Sequence, residues 1–251
     1  MKSIKTEEMN WVDIQEAIAN GYKSIIVAVG SIEQHGPHLP TITDTLIGEI
    51  LAHEVGLKLG NTLQGPTITI GCSEHHLAFS GTVSIRKDTL KAIMTDYVYS
   101  LSHHGFENII FLPSHGGNFQ TVEESVVKLQ EKYPKINIVC YSDLHEFLEI
   151  LHKFSIERGK TAEQAGAHAG ENETSLVLAM REELVKKDRF TPGFTGLFGK
   201  KEGEIVFAKG MKALTENGVL GDPTPATAKD GETYITKLVD VLVDEIKEKL
   251  A

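Results

Sequence analysis

The sequence predicts an α/β protein in which a parallel β-sheet is covered by helices. Short β-branched apolar runs recur along the chain, and amphipathic stretches of helical period separate them. Clusters of polar, chemically active residues follow three of the apolar runs directly. Because ligands of open α/β sheets bind outside the carboxyl ends of the strands, these clusters indicate a functional site.

The apolar runs predict four strands, at residues 23–31, 66–72, 108–114 and 136–142. The amphipathic stretches predict helices at 44–60, 87–105, 121–133, 143–159, 173–187 and 232–250. Gly60 and Gly105 fit the position that glycine often takes just after a helix. The glycine-rich stretch 190–210 fits a hairpin, a lid or an oligomer contact, and the sequence does not choose among them. Since no linker or internal repeat is evident, we expect one domain over residues 1–251.

Composition and charge argue against several classes of protein. The 251 residues carry a net charge of −10 at pH 7, whereas a nucleic-acid-binding protein needs a basic face. No apolar run approaches the ~20 residues of a membrane span, and residues 1–13 lack the apolar core of a signal peptide. Cys72 and Cys140 follow or end apolar runs and are expected to be buried thiols in a reducing compartment. We therefore expect a cytoplasmic protein with no nucleic-acid or membrane partner.

The stretch GSIEQHGPHLPTITDT, which follows the first predicted strand, contains the most informative polar residues. Glu33 and His35 are two positions apart, so their side chains point to the same face of an extended segment. Asp44 falls near the start of a helix, where a capping carboxylate is an equally good interpretation. Taken alone, His35 would more often be a hydrogen-bonded loop histidine. The inference therefore depends on the whole group of residues.

Polar residues also follow the second and third predicted strands. In SHGGN, His115 precedes Gly116 and Gly117, which also fit a tight strand-to-helix turn. In GCSEHH, Glu74, His75 and His76 border the expected pocket and are candidates for substrate contact, although a plain polar loop is the commoner explanation. Gly116 and Gly117 are further candidates, because glycine allows close approach of the backbone.

The motif HAGENETS places His168, Glu171 and Glu173 directly before a predicted helix. The positive end of the helix dipole explains Glu173 as a cap, but it does not explain His168. The candidate metal ligands of the whole chain are Glu33, His35, Asp44, His115 and Glu171. A mixed imidazole and carboxylate set suits Zn²⁺, Mn²⁺ or Fe²⁺ better than Mg²⁺ or Ca²⁺. It is large enough for two ions if one carboxylate bridges them.

The motifs VGSIEQHGPHLPTITDT, SHGGN and HAGENETSLVL, in this order, resemble those of the creatininase (creatinine amidohydrolase) family. The resemblance extends from about residue 20 to the segment GDPTPATAKDGE. It implies a three-layer α/β/α sandwich with a mostly parallel central sheet and a site for two divalent transition-metal ions (Zn, Mn or Fe). It also implies hydrolysis of a C–N bond in a small cyclic or linear amide, and a homohexamer.

The resemblance also assigns roles to individual residues. Glu33, Asp44 and His115 are expected to hold one metal ion. His35 and Asp44 are expected to hold the other, with Asp44 bridging the two. His168 matches the catalytic histidine to which proton transfer is assigned. These assignments imply attack on the amide by a metal-bound hydroxide.

This sequence departs from creatininase at one ligand and in its tryptophans. Creatininase has a Glu ligand where this chain has Gly117, and members with HGGN carry a Glu in the HAGE motif, so Glu171 is the expected replacement. The single tryptophan, Trp11, lies outside the region where creatininase encloses creatinine. Formamide deformylases and peptide-trimming enzymes of the HGGN branch are therefore alternatives to creatinine hydrolysis. A metal-binding or sensor protein without turnover is an alternative from another class.

Overall fold

Four parallel strands form one sheet in the computed structural model, which describes residues 3–251. The first two residues, which the single-domain prediction includes, lie outside the described residues. The strands are β1 (Ser24–Val29), β2 (Thr62–Gln64), β3 (Asn108–Pro113) and β4 (Asn137–Cys140). Their order across the sheet is β2-β1-β3-β4, with Ser24 of β1 opposite Asn108 of β3. The carboxyl ends of all four strands therefore lie at the same edge of the sheet.

Helices follow or precede each strand. They are α1 (Trp11–Ala19), α2 (Thr43–Leu59), α3 (Lys87–His103), α4 (Phe119–Lys132), α5 (Leu144–Glu157), α6 (Ala162–Ala165), α7 (Glu171–Arg181), α8 (Lys200–Lys209) and α9 (Ala228–Leu250). Short 3₁₀ turns occur at Thr6–Glu8, Glu74–His76, Glu182–Leu184, Lys187–Arg189 and Met211–Ala213. Over residues 3–251, no helix combines the length and apolarity that a membrane crossing requires.

The side chains of β1 alternate between two apolar layers, as a period of two requires. Ile25 and Val27 pack on one face with α1, α3 and α4. Ile26 and Ala28 pack on the other face with α2, α5, α7 and α9. The predicted three-layer α/β/α sandwich is therefore confirmed, and the sheet is buried on both faces.

The strand predicted at residues 66–72 is wrong in position. Regular pairing with β1 comes from β2, three residues that precede the predicted run, and Ile68 makes only an isolated bridge to Val29. Pro66 has no N–H to donate, so the ladder is interrupted there. Gly65 and Ile68 still donate to backbone oxygens of β1, at 2.9 Å each. The segment therefore follows the sheet without forming a regular strand.

The glycine-rich stretch 190–210 contains a helix, α8, between Gly199 and Gly210. Its Val206 is buried against Met211 and Leu220 in a small apolar cluster. The helix also contacts the turn Glu74–His76. Of the three alternatives that the sequence left open, the hairpin is excluded.

Helices α7 and α9 pack so closely at Gly231 that a side chain has no room there. A Cβ atom at Gly231 would collide with the backbone oxygen of Ser175. We expect Gly231→Ala to lower the free energy of unfolding by about 1–3 kcal/mol, because the two helices must separate. Urea denaturation measures the change.

Gly203 is the matched control, because it is also a helical glycine but its Cβ would find the nearest heavy atom 3.8 Å away, at Phe198. Gly203→Ala is expected to leave stability unchanged or to raise it by up to about 1 kcal/mol. Equal effects of the two substitutions would contradict the close approach of α7 and α9.

Candidate metal centre

Polar side chains from several segments meet at the carboxyl end of the sheet. Glu33 and His35 lie on the segment after β1, and Asp44 lies in the first turn of α2. His115 follows β3, and Glu173 lies in the first turn of α7. The first four of these residues are each 3% exposed or less. The result is a buried polar cluster at the edge of the sheet where α/β proteins bind ligands.

Asp44 presents one carboxylate oxygen to each of two histidines. Its Oδ1 is 3.3 Å from Nε2 of His35, and its Oδ2 is 3.3 Å from Nδ1 of His115. Oε1 of Glu33 lies 3.2 Å from the same Nδ1 of His115, and Oε2 of Glu173 lies 4.0 Å from Nε2 of His35. We call Glu33, Asp44 and His115 the His115 half-site. We call His35, Asp44 and Glu173 the His35 half-site. Asp44 belongs to both.

The backbone holds each of the two histidines by the ring nitrogen that faces away from the cluster. Nε2 of His115 is 3.2 Å from the backbone oxygen of Cys72, and Nδ1 of His35 is 3.2 Å from the backbone oxygen of Glu33. Since these nitrogens donate, a neutral imidazole turns its lone pair towards the carboxylates. A lone pair facing a carboxylate is repulsive unless a cation lies between them. This arrangement is the usual outer support of a metal-binding histidine.

Several buried atoms of the cluster have no hydrogen-bond partner among residues 3–251. They include Oε2 of Glu33, Nε2 of His35 and Oδ2 of Asp44. Leaving buried polar groups without partners costs stability, so such groups are rare in folded proteins. Ligand atoms of Glu33, His35 and Asp44 lie within 4.8 Å of one another, as do those of His35, His168 and Glu173. The residues present therefore fit divalent transition-metal ions.

The charges of the cluster shift the pKa values of its members. Burial alone would lower the pKa of His35, but the carboxylates of Asp44, Glu173 and Glu33 outweigh it and raise this pKa to about 9. Burial opposes ionisation of Asp44, yet the neighbouring histidines hold the pKa of Asp44 below its usual range. For Glu173, burial dominates and raises the pKa to about 7. Without a metal ion, the cluster therefore takes up protons in its place.

His168 lies beside the cluster with a fixed ring orientation. Its Nε2 donates to the backbone oxygen of Gln34 at 2.8 Å, and its Nδ1 lies 3.8 Å from Oε1 of Glu33. Burial and the proximity of His35 lower the pKa of His168 well below its usual value. His168 is therefore neutral at pH 7 and has an unprotonated nitrogen on the cluster side, where it is able to accept a proton.

The structure does not bring Glu171 to the cluster. Its carboxylate is fully buried and accepts hydrogen bonds from the hydroxyls of Ser155, Ser175 and Tyr234, at 2.7, 2.9 and 3.0 Å. Two residues along a helix differ by roughly 200° in direction. Because α7 begins at Glu171, this residue faces α5 and α9 while Glu173 faces His35. Glu173, which the sequence explained as a helix cap, also accepts a hydrogen bond from the backbone N–H of Ala169.

The remaining predicted site residues line a cavity of about 1080 Å³ that adjoins the cluster. We call it the outer cavity, and its walls include Glu74, His75, Gly116 and Gly117. His75 and Gly116 also line an inner cavity of about 90 Å³ that ends at Glu33 and Asp44. The two cavities therefore lie side by side and share part of their walls.

Gly117 has no space for a side chain. A Cβ atom there would collide with the backbone oxygen of Cys72 and with Nε2 of His115. With this backbone a glutamate at position 117 is excluded, and the carboxylate of the His35 half-site has to come from another segment.

Gln34 belongs to the site, although the sequence analysis did not include it, and it contacts His76, which the sequence analysis placed at the pocket. Nε2 of Gln34 is 2.9 Å from Nδ1 of His76, and Nε2 of His76 is 3.4 Å from Oε1 of Glu33. The alternation of an extended segment predicts that Gln34 points away from Glu33 and His35. Only the tertiary structure, which folds the turn Glu74–His76 against this second face, reveals the contact.

Comparison with known proteins identifies the family. The family model of creatininase (creatinine amidohydrolase) matches residues 7–246. The mycofactocin precursor peptide peptidase of Mycolicibacterium smegmatis is 32% identical over 89% of this chain and 84% of its own length. The creatinine amidohydrolase of Pseudomonas putida is 25% identical over 99% and 98% of the two chains. A 2-amino-5-formylamino-6-ribosylaminopyrimidin-4(3H)-one 5'-monophosphate deformylase of Methanothermobacter thermautotrophicus is 26% identical over 90% and 88%.

Solved structures show the same fold. A manganese creatininase superposes with a TM-score of 0.83 at 23% identity, covering 99% of both chains. Another creatinine amidohydrolase structure gives a TM-score of 0.84 at 22% identity, covering 99% of this chain and 98% of the other. The chain therefore belongs to the creatininase family, and it is an amidohydrolase whose histidine and carboxylate cluster is able to hold divalent metal at the carboxyl end of its sheet.

Proposed function

We propose that this chain uses two divalent transition-metal ions to cleave a C–N bond of a linear, peptide-like amide. The observation that carries the proposal is Asp44, which offers one oxygen to each half-site. Glu33 and His115 complete one metal site, and His35 and Glu173 complete the other. Zn²⁺, Mn²⁺ and Fe²⁺ suit this donor set. Two of the similar solved structures are described as a creatininase of Zn-Zn type and a manganese creatininase.

The residues around the cluster have defined tasks in amide hydrolysis. Bound ions of this kind polarise a carbonyl group and make water nucleophilic near neutral pH. His168, neutral and held by the backbone oxygen of Gln34, accepts a proton at Nδ1 and delivers it to the leaving nitrogen. Water adds to the carbonyl carbon, the C–N bond breaks, and the products are a carboxylic acid and an amine.

The size of the outer cavity supports a peptide-like substrate. Its volume of about 1080 Å³ exceeds what a compact cyclic amide fills, and its walls carry both Lys87 and Glu123. Trp11, the single tryptophan, is 74% exposed in α1 and lines neither cavity, so an enclosing tryptophan stack is missing. The relative with 32% identity is named as a peptidase. A screen of short peptides, formamides and cyclic amides tests this choice.

We also propose a single cytoplasmic domain over residues 1–251 that assembles as a homohexamer. Cys72 and Cys140 are free, buried thiols, as suits a reducing compartment. Trp11 and Tyr99 expose 74% and 64% of their surface, which an interface between copies would cover. Light scattering on the purified chain measures the assembly.

Asp44→Ala is expected to remove both metal ions, because both half-sites lose a ligand. His168→Ala is expected to keep both ions and to lower kcat about 10²- to 10⁴-fold, because only proton transfer is lost. Elemental analysis and turnover with an identified substrate give the two readouts. Retention of two ions per chain by the Asp44 variant would disprove the bridging role.

Glu173→Gln and Glu171→Gln form a matched pair, since both lie in the first turn of α7. Glu173→Gln is expected to reduce the metal content from two ions to about one, because the His35 half-site loses its second carboxylate. Glu171→Gln is expected to keep both ions but to lower the free energy of unfolding by about 1–3 kcal/mol, because three hydroxyls lose their charged acceptor. The opposite pattern of metal loss would establish Glu171 as the ligand.

Stability of the metal-free chain is expected to fall as pH rises from 6.5 to about 9. Over this range folded His35, with a pKa of about 9, is more protonated than the unfolded residue, with a pKa of 6.5. The folded state therefore binds more protons, so the free energy of unfolding decreases with pH. The raised pKa of Glu173, about 7, acts in the same direction at the lower end of the range.

Metal binding is expected to abolish this fall, because an ion replaces the proton on His35. Thermal unfolding at several pH values, with chelator and with added Zn²⁺, makes the comparison. If the melting temperature changes with pH in the same way in chelator and in added Zn²⁺, no metal ion binds at His35.

A further inference from the structure

We propose that the inner cavity binds one small aliphatic side chain of the substrate and that Asn172 donates a hydrogen bond to a substrate carbonyl oxygen there. This inference rests on the proposed hydrolysis of a linear amide. It adds the class of side chain next to the cleaved bond and a residue that recognises the substrate.

Asn172 has a buried donor without a partner. The residue is 2% exposed in the first turn of α7. Its Oδ1 accepts from the backbone N–H of Glu173 at 2.6 Å, which fixes the orientation of the amide. Its Nδ2 then has no hydrogen-bond partner among residues 3–251. A buried donor left unpaired lowers the stability of the fold, and a substrate acceptor in the inner cavity would supply the missing partner.

Asn172 lines the inner cavity together with Glu33, Asp44 and His168. An amide N–H beside a hydrolytic centre is a standard donor to a carbonyl oxygen on which negative charge develops. It also discriminates between substrates, because an analogue without the acceptor leaves the buried donor unpaired. Asn172 therefore meets the chemical requirements of a substrate-recognising residue.

Apolar side chains form most of the remaining walls of the inner cavity. They include Leu148, Leu151, Val206, Met211 and Leu220. A charged group placed against these walls would lose its hydration without gaining a partner. The cavity volume of about 90 Å³, which also has to hold the proposed ions at Glu33 and Asp44, is below the ~150 Å³ of a cavity that holds benzene. The walls and the volume therefore favour a valine or leucine side chain and disfavour phenylalanine and aspartate.

The inner cavity lies next to the outer cavity and shares walls with it. His75, Phe119, Leu144 and Phe207 line both. In the proposed binding mode, one side chain enters the inner cavity and the rest of the peptide lies in the outer cavity. The backbone next to that side chain is then beside Glu33 and Asp44, which line the inner cavity.

The test uses the metal-loaded full chain and tripeptides Gly-X-Gly, with X as Gly, Ala, Val, Leu, Phe or Asp. We expect kcat/KM for Val or Leu to exceed that for Gly, Phe and Asp by about 10-fold or more, the range that side-chain burial in an apolar pocket supplies. Val206→Ala and Leu148→Ala, on separate elements, are expected to shift the preference towards Phe. A merely structural role of these residues would lower activity for all peptides alike.

Asn172→Ala is expected to lower kcat/KM about 10- to 100-fold for every peptide while two metal ions per chain are retained. Asn172→Asp keeps the acceptor for the N–H of Glu173 but lacks the donor, so a similar loss is expected from it. Unchanged kcat/KM in both variants would overturn the role of Asn172.

Hydrolysis of all tripeptides with equal kcat/KM would overturn the pocket and leave the proposed function intact. If no tripeptide is cleaved, the peptidase proposal fails, and calorimetric binding of the same peptides to the metal-loaded chain decides the pocket separately. Tighter binding of the Val or Leu peptide would then support it, and equal or absent binding would overturn it.

Discussion

The site depends on one electrostatic constraint, which is that three carboxylates lie within 4.0 Å of two fully or almost fully buried histidines. Glu33, Asp44 and Glu173 cannot all remain charged there without positive charge between them. The raised pKa values of His35 and Glu173 are the response of the chain when protons alone supply that charge. Divalent metal bound among these residues would satisfy the same need without altering the hydrogen bonds that orient the rings.

Rigid backbone support allows the chain to hold such a cluster before any ion binds. The side chain of Asn118 connects three segments that meet at the carboxyl edge of the sheet. Its Oδ1 accepts from the N–H of Cys72 at 2.9 Å, and its Nδ2 donates to the backbone oxygens of Val29 and Gly30 at 3.1 and 2.9 Å. The segments that carry Glu33 and His115 are therefore fixed relative to one another by a residue that is not itself a candidate ligand.

The sequence predicted the fold class and the core of the cluster because both follow from local patterns. Runs of β-branched residues predicted the strands. Because parallel strands end at the same edge of the sheet, the residues that follow β1 and β3 were expected to lie together, and these include Glu33, His35 and His115. The choice between Glu171 and Glu173 needed the exact start of α7, since a shift of one residue turns each side chain by about 100°. Local patterns do not fix that start, because Gly170 provides no side-chain cap.

The other two differences have separate causes. Pro66 interrupts a run whose composition is otherwise typical of a strand, because it has no N–H to donate to the ladder. Helix α8 lies between Gly199 and Gly210, and its apolar residue Val206 is buried against Met211 and Leu220. The first difference is therefore local, whereas the second comes from tertiary packing.

The crowding at Gly117 has a consequence for any attempt to rebuild this centre. A Cβ atom at position 117 would collide with the backbone oxygen of Cys72 and with Nε2 of His115, so a carboxylate added there needs a different loop after β3. The same backbone oxygen of Cys72 orients the ring of His115, at 3.2 Å from its Nε2. Moving a carboxylate of the His35 half-site from α7 to position 117 would therefore disturb the His115 half-site as well.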